Sequence, residues 1–161
     1  MLIGPDFARD LKRGEEKQVD VLLQAAFGGS AEVNLVRDLR KSKAIAGEQV
    51  MTMDGQIIGY YALSYLVKPK GWLCLAPVAI APDEQRGGYG KRMIGMLTEW
   101  ARLTRTPVVV LGEQAFYGKA GFSKVAAAKL TSPYPAAHMG IVGVDGVPAQ
   151  TLIYPPAFDG A

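Results

Sequence analysis

The residues best suited to chemistry in this 161-residue chain lie together between positions 85 and 92. Gln85-Arg86-Gly87-Gly88-Tyr89-Gly90 places three glycines in four residues and runs on into Lys91 and Arg92. Glycine adopts positive φ without steric cost and lets a ligand approach bare backbone. The stretch from Lys91 is amphipathic, so the turn opens into a helix start, where unpaired N–H groups and the positive end of the helix dipole favour an anion. With Arg86, Lys91 and Arg92 alongside, the segment predicts a site for a phosphorylated cofactor; the competing account is a glycine-rich turn carrying solvated charges.

Two phosphate motifs fail here by letter. A triphosphate-binding loop needs G-x-x-x-x-G-K-[ST], whereas Gln85 stands at the first glycine position and Arg92 follows Lys91. A dinucleotide fingerprint needs G-x-G-x-x-G, and Met93 stands where the third glycine belongs. A second chemical cluster follows the apolar run 108–111: Gly112-Glu113-Gln114-Ala115-Phe116-Tyr117-Gly118-Lys119-Ala120-Gly121-Phe122. A phenol, with its usual pKa of about 10, can donate a proton at pH 7. Cys74 is the single cysteine, which excludes an internal disulfide and reads as a buried, inert thiol. Neither Cys nor His forms a cluster with metal-ligand spacing, so a metal-dependent mechanism gains no support. His138, the single histidine, reads as a surface residue.

Residues 85–90, of the form Q/R-x-x-G-x-G/A after a strand, resemble the pyrophosphate loop of the GNAT superfamily of acetyl-CoA-dependent N-acyltransferases. Residues 112–122 resemble the F-Y-x-x-x-G-F segment that follows the fifth strand of those enzymes, and 71–82 resembles their central fourth strand. The resemblance covers about residues 15 to 128 and is specific from 72 to 122; within the superfamily it is nearest to bacterial N-acetyltransferases of unassigned substrate with a C-terminal extension. It implies an α+β, three-layer αβα fold with a mixed, mostly antiparallel sheet, as one domain over 1–161 whose extension starts near 130. It further implies transfer of an acetyl group from acetyl-CoA to a small-molecule or peptidyl primary amine through a tetrahedral intermediate, with no metal.

The same resemblance assigns roles. The pantetheine arm would pair with the backbone of Val78, Ala79 and Ile80, much as an added strand does, and the diphosphate would lie on Gln85, Arg86, Gly87, Gly88, Tyr89, Gly90 and Lys91. Pro77 lacks an N–H and marks a place where strand pairing breaks, so that a bulge there can aim an amide at the thioester oxygen. Tyr117 would protonate the departing thiolate; a core aromatic with a satisfied hydroxyl is its alternative. Glu113 is the nominee for general base, against a capping or solvated glutamate at the next helix start. Gly121 reads as a helix stop, Phe122 as a core anchor and Lys119 as a solvated side chain. Two other functions are carried beside the enzyme: an acyl-CoA-binding module without turnover, and a nucleic-acid-binding domain using Arg86, Lys91 and Arg92.

Several elements must hold these groups. Val19, Leu22, Leu23 and Ala26 recur at helical spacing over 15–27, and Leu35, Val36 and Leu39 do so over 31–41, with Gly28-Gly29-Ser30 between and Ser30 as N-cap. Runs 50–53 and 56–67 flank Asp54-Gly55 and predict a hairpin. A strand over 72–81 precedes the loop, and Met93, Leu97, Trp100 and Ala101 define the buried face of a helix ending near Thr104. Further strands are expected over 122–130 and 138–144, and Tyr154-Pro155-Pro156-Ala157-Phe158 reads as a tail packed across the domain or against a second copy.

Composition sets the remaining bounds. With 49% hydrophobic residues the chain can bury a single substantial core. A net charge of +3 and no block of five like charges give nucleic acid little to hold beyond the local cluster. Without an apolar run of membrane-spanning length or a signal-peptide pattern, the expectation is a cytoplasmic protein with no membrane partner. A sheet edge and the proline-rich tail are compatible with a homodimer.

Overall fold

The computed structural model describes residues 5–160. In chain order the elements are β1 (Arg9–Asp10), α1 (Glu16–Phe27), α2 (Ala31–Lys41), β2 (Ile45–Met53), β3 (Gln56–Tyr65), β4 (Leu73–Ile80), α3 (Tyr89–Thr104), β5 (Val108–Leu111), α4 (Gln114–Ala120) and β6 (Met139–Val142). Among the described residues the strands form one sheet in that same order, antiparallel at every junction except the parallel β4–β5 pair. The result is the expected α+β fold with a mixed, mostly antiparallel sheet between helices.

Hydrophobic spacing explains the layers. Val19, Leu22 and Leu23 of α1, with Val33 and Val36 of α2, pack on Val50, Tyr60, Ala62 and Ala79 from one face of the sheet. Met93, Ile94, Leu97 and Ala101 of α3 cover Met51, Leu63, Leu75 and Val110 on the other. Because helices cover both faces, β3 is buried without interruption from Ile58 to Ser64 instead of alternating. Asp54 and Gly55 both take positive φ, 51° and 76°, as the two-residue turn requires.

Four expectations need correction. Residues 124–129 form successive turns in place of a strand: Ala127, Ala128 and Leu130 donate to carbonyls three residues back, the Ser123 hydroxyl accepts the Ala126 N–H, and Ser123 alone bridges Ile141. Alanine at 126–128 contributes little strand preference to resist this. Trp100 is 43% exposed, because α3 turns it to the rim while Ala101 occupies the buried stripe. β2 begins five residues before position 50, at Ile45, held to Ser64 across the hairpin. Ser30 stands at the start of α2 but caps it through its carbonyl, which accepts the Asn34 N–H; its side chain makes no capping bond.

One polar cluster ties α2 to the sheet. Arg40 reaches Glu48 on β2 through Nε and Nη2, at 3.0 and 2.8 Å from Oε1, and the buried Tyr60 hydroxyl donates to that same oxygen at 2.6 Å. Burial first, then the Glu48 charge, pushes the Tyr60 phenol far up, so it remains a donor. Removing Arg40 strands a carboxylate whose side chain is 13% exposed. Arg40→Met is therefore expected to cost about 2 kcal/mol, discounted for partial burial and seen as a lower urea midpoint at unchanged m-value.

Candidate functional site

The β4–β5 pairing is short. Leu73, Cys74 and Leu75 register with Val108, Val109 and Val110, and β4 continues to Ile80 with no further partner on that side. Its other edge loses register too: Val78 pairs with Tyr61 and Leu75 with Leu63, leaving Ala76-Pro77 as an irregularity. Pro77 thus sits at the predicted interruption, and the strands part where β4 bulges. A cleft of about 340 Å³ opens there, lined by Leu75–Val78 and by Val109, Leu111 and Tyr117.

The glycine loop follows the free end of β4 and packs through Gly90 on Ile80 and Phe116, next to Tyr117 in sequence; none of its residues lines the cleft. Gly88 takes φ of 76° and starts α3, whose first carbonyl bond is Arg92 N–H to Gly88. Among the described residues the N–H groups of Gly88, Tyr89, Gly90 and Lys91 have no backbone carbonyl partner, which leaves a cradle of donors at the positive helix end. Gln85 is used differently: its Nε2 donates to the Ile80 carbonyl at 3.1 Å and moors the loop to the end of β4. Arg86 and Lys91 are exposed beside the cradle. A Cβ on Gly90 would lie 3.3 Å from Phe116 Cζ and 3.4 Å from Ile80 Cγ1, so the close approach of loop, β4 and α4 uses that glycine.

Tyr117 lies on α4 between two rings, edge-on to Phe116 at 4.9 Å and to Phe122 at 5.8 Å. Burial pushes its phenol up to about 12, which keeps it protonated at neutral pH. No hydrogen bond of its hydroxyl is present among the described residues, and the side chain lines the cleft. Val78 also lines the cleft, whereas Ala79 and Ile80 are buried within β4. Glu113 is brought no closer than the N-cap position of α4: it is exposed, its carbonyl accepts the Phe116 and Tyr117 N–H groups, and it does not line the cleft. Cys74 lines the cleft floor with its thiol pushed up to about 12 by burial, in keeping with an inert thiol. His138 and Lys119 are exposed.

Sequence reasoning linked the early helices and the C-terminal segment to the acceptor but named no site residue there. Phe27 at the end of α1, Glu32 and Leu35 on α2, and Tyr134, Tyr154 and Phe158 from the C-terminal segment complete the lining. The tail crosses back through Ile153, paired with Lys68, and its final turn, Pro156–Gly160, packs on α2. The aromatic residues of that tail were a visible signal; their placement was not. A second cavity of about 390 Å³ near the start of β4, lined by Asp10, Gln49, Tyr61 and Trp100 among others, holds none of the loop or α4 residues. Among the described residues no group of three His, Cys, Asp or Glu side chains could hold a metal ion, and no helix is long and apolar enough to cross a membrane.

Comparison with known proteins converges on one family. Residues 46–124 match the model of the acetyltransferase (GNAT) domain. A GNAT family N-acetyltransferase from Escherichia coli, solved in complex with CoA, is 25% identical with a TM-score of 0.86, over 99% of this chain and 94% of that one. A GNAT family acetyltransferase from Brucella melitensis, in complex with acetyl-CoA, is 24% identical with a TM-score of 0.80, over 98% and 100%. A search of curated proteins gave no match.

Proposed function

This chain belongs to the GNAT superfamily, and we propose that it transfers the acetyl group of acetyl-CoA to a primary amine. One observation carries the reading: free amides from Gly88 to Lys91 start the helix that follows β4, the strand whose parting from β5 opens the cleft that Tyr117 lines. The residues fit the co-substrate. The amides of Gly88–Lys91, with Arg86 and Lys91 beside them, would hold the diphosphate, and Val78, at the open edge of β4, would meet the pantetheine arm. Acetyl-CoA supplies an activated acetyl group: the amine nitrogen bonds to its carbonyl carbon, the C–S bond breaks and CoA leaves as a thiol.

The chain does three things for that exchange. Holding amine and thioester together in one cleft removes much of the entropic barrier. A backbone amide near the Ala76-Pro77 irregularity stabilises the developing oxyanion, worth on the order of a hundredfold in rate. Tyr117, kept protonated by burial, donates to the departing sulfur. The base assigned to Glu113 operates only through solvent, given the exposure of that carboxylate.

Isothermal titration tests the reading. The protein is expected to bind acetyl-CoA and CoA but not NADH. Gly88→Val, which forces a branched side chain to φ of 76°, or Gly90→Val, which crowds Phe116, should weaken CoA binding on the order of tenfold or more through loss of charge-assisted donors. A wild-type protein that ignores both CoA compounds would sink the proposal.

A further inference from the structure

We propose that the acceptor is a primary amine carried on an aromatic body, of the arylalkylamine kind, with no carboxylate beside the nitrogen, and that Glu32 receives its ammonium. This rests on the acetyltransferase reading above and adds to it a substrate class and a residue. α3 and α4 lie on one face of the sheet, α1 and α2 on the other. The amide cradle at the start of α3 would place the nucleotide end of the co-substrate on the α3 side. The second substrate must then enter from the side of α2 and the C-terminal tail.

That wall is aromatic. Tyr134 meets Tyr154 edge-on at 5.0 Å, and Tyr154 meets Phe158 at 5.7 Å, with Phe27 opposite them in the lining. Such rings bury an apolar body and also favour a nearby cation. Glu32, half-buried on the first turn of α2, is the one charged side chain in the lining, and it makes no ion pair or hydrogen bond among the described residues. Among the described residues no Lys, Arg or His lines the cleft, so an acceptor's own carboxylate would face Glu32 without a counter-charge. A polyamine would find one carboxylate for several ammonium groups. The ammonium held at Glu32 loses one proton to solvent. The freed nitrogen then bonds to the acetyl carbon as the C–S bond breaks, and the second nitrogen proton replaces through solvent the one Tyr117 gives to sulfur.

The test is titration of 2-phenylethylamine into CoA-saturated protein, beside 3-phenylpropionate, phenylalanine and spermidine. Phenylethylamine should bind at least about tenfold more tightly than each of the others, and Glu32→Gln should lose on the order of tenfold of that affinity, the worth of a charged hydrogen bond. CoA affinity of the variant should be unchanged, which also shows that it folds. Equal binding of phenylalanine or spermidine, absent binding of phenylethylamine, or an unaffected Glu32→Gln would overturn the assignment while CoA binding left the acetyltransferase reading standing. Failure of the wild-type protein to bind CoA would sink both.

Discussion

Tyr117→Phe is expected to lower kcat about a hundredfold, or about 2.7 kcal/mol in barrier, with CoA affinity unchanged within about twofold. The substitution removes one oxygen and keeps the ring, so the edge contacts at 4.9 Å to Phe116 and 5.8 Å to Phe122 survive and the variant should fold normally. The hydroxyl has no partner among the described residues, so no internal hydrogen bond is lost. What disappears is the proton donor. Burial holds the phenol up to about 12, so the acid is present throughout the neutral range and is lost only as pH rises toward that value. Steady-state kinetics with a CoA-thiol readout, beside CoA titration, separate the outcomes. A kcat within about threefold of wild type would mean that the thiolate leaves unaided or takes its proton from water. A parallel fall in CoA affinity would mean that Tyr117 is a wall of the cleft and no more.

Sequence reached the elements that local physics determines. Leu35, Val36 and Leu39 recur at helical spacing, and the helix over 31–41 formed at those bounds. Asp54-Gly55 supplied the hairpin because both residues accept positive φ. Pro77 located the irregularity in β4 because proline cannot donate to a ladder. Elements decided by tertiary context were less accessible. Residues 122–130 carried enough apolar character to suggest a strand, but the Ser123 hydroxyl and a run of alanines settled into turns. Trp100 shares the helical period of the buried stripe and still lies at its rim, 43% exposed, over a cavity it lines with Gln49, Tyr61 and Leu73.

The site divides in the same way. The segment proposed to hold the cofactor is contiguous in sequence, a strand, loop and helix from 73 to 104. The wall proposed to receive the acceptor joins Phe27 and Glu32 to Tyr134, Tyr154 and Phe158, about a hundred residues or more apart, across a tail paired through Lys68 and Ile153. No local pattern encodes such a meeting. Glu113 shows the limit of adjacency: next to β5 in sequence, it sits exposed at the N-cap position of α4, where its carbonyl accepts two N–H groups, and outside the cleft lining.

Gly112→Ala should reproduce most of the Tyr117→Phe defect without touching the phenol. A Cβ at Gly112 would fall against the Tyr117 ring, meeting Cε2 and lying 3.0 Å from Cδ2 and 3.5 Å from Cζ. The glycine does not sit in the left-handed region, so the backbone tolerates alanine and the strain falls on the side chain. Ring edges packed against Phe116 and Phe122 leave Tyr117 one direction to yield, which moves its hydroxyl within the cleft. A displacement of about 1 Å at a reacting group costs on the order of a hundredfold in rate. The decisive variant is the double one. If Gly112 acts through the phenol, Gly112→Ala adds little to a protein that already carries Tyr117→Phe, and the two losses in kcat overlap instead of multiplying. Fully multiplicative losses would show that Gly112 shapes the cleft for another reason, such as the approach of the thioester to the end of β5. Unchanged kcat in the single variant would show that the ring shifts without consequence, and would count against Tyr117 as the acid as much as against Gly112 as its support.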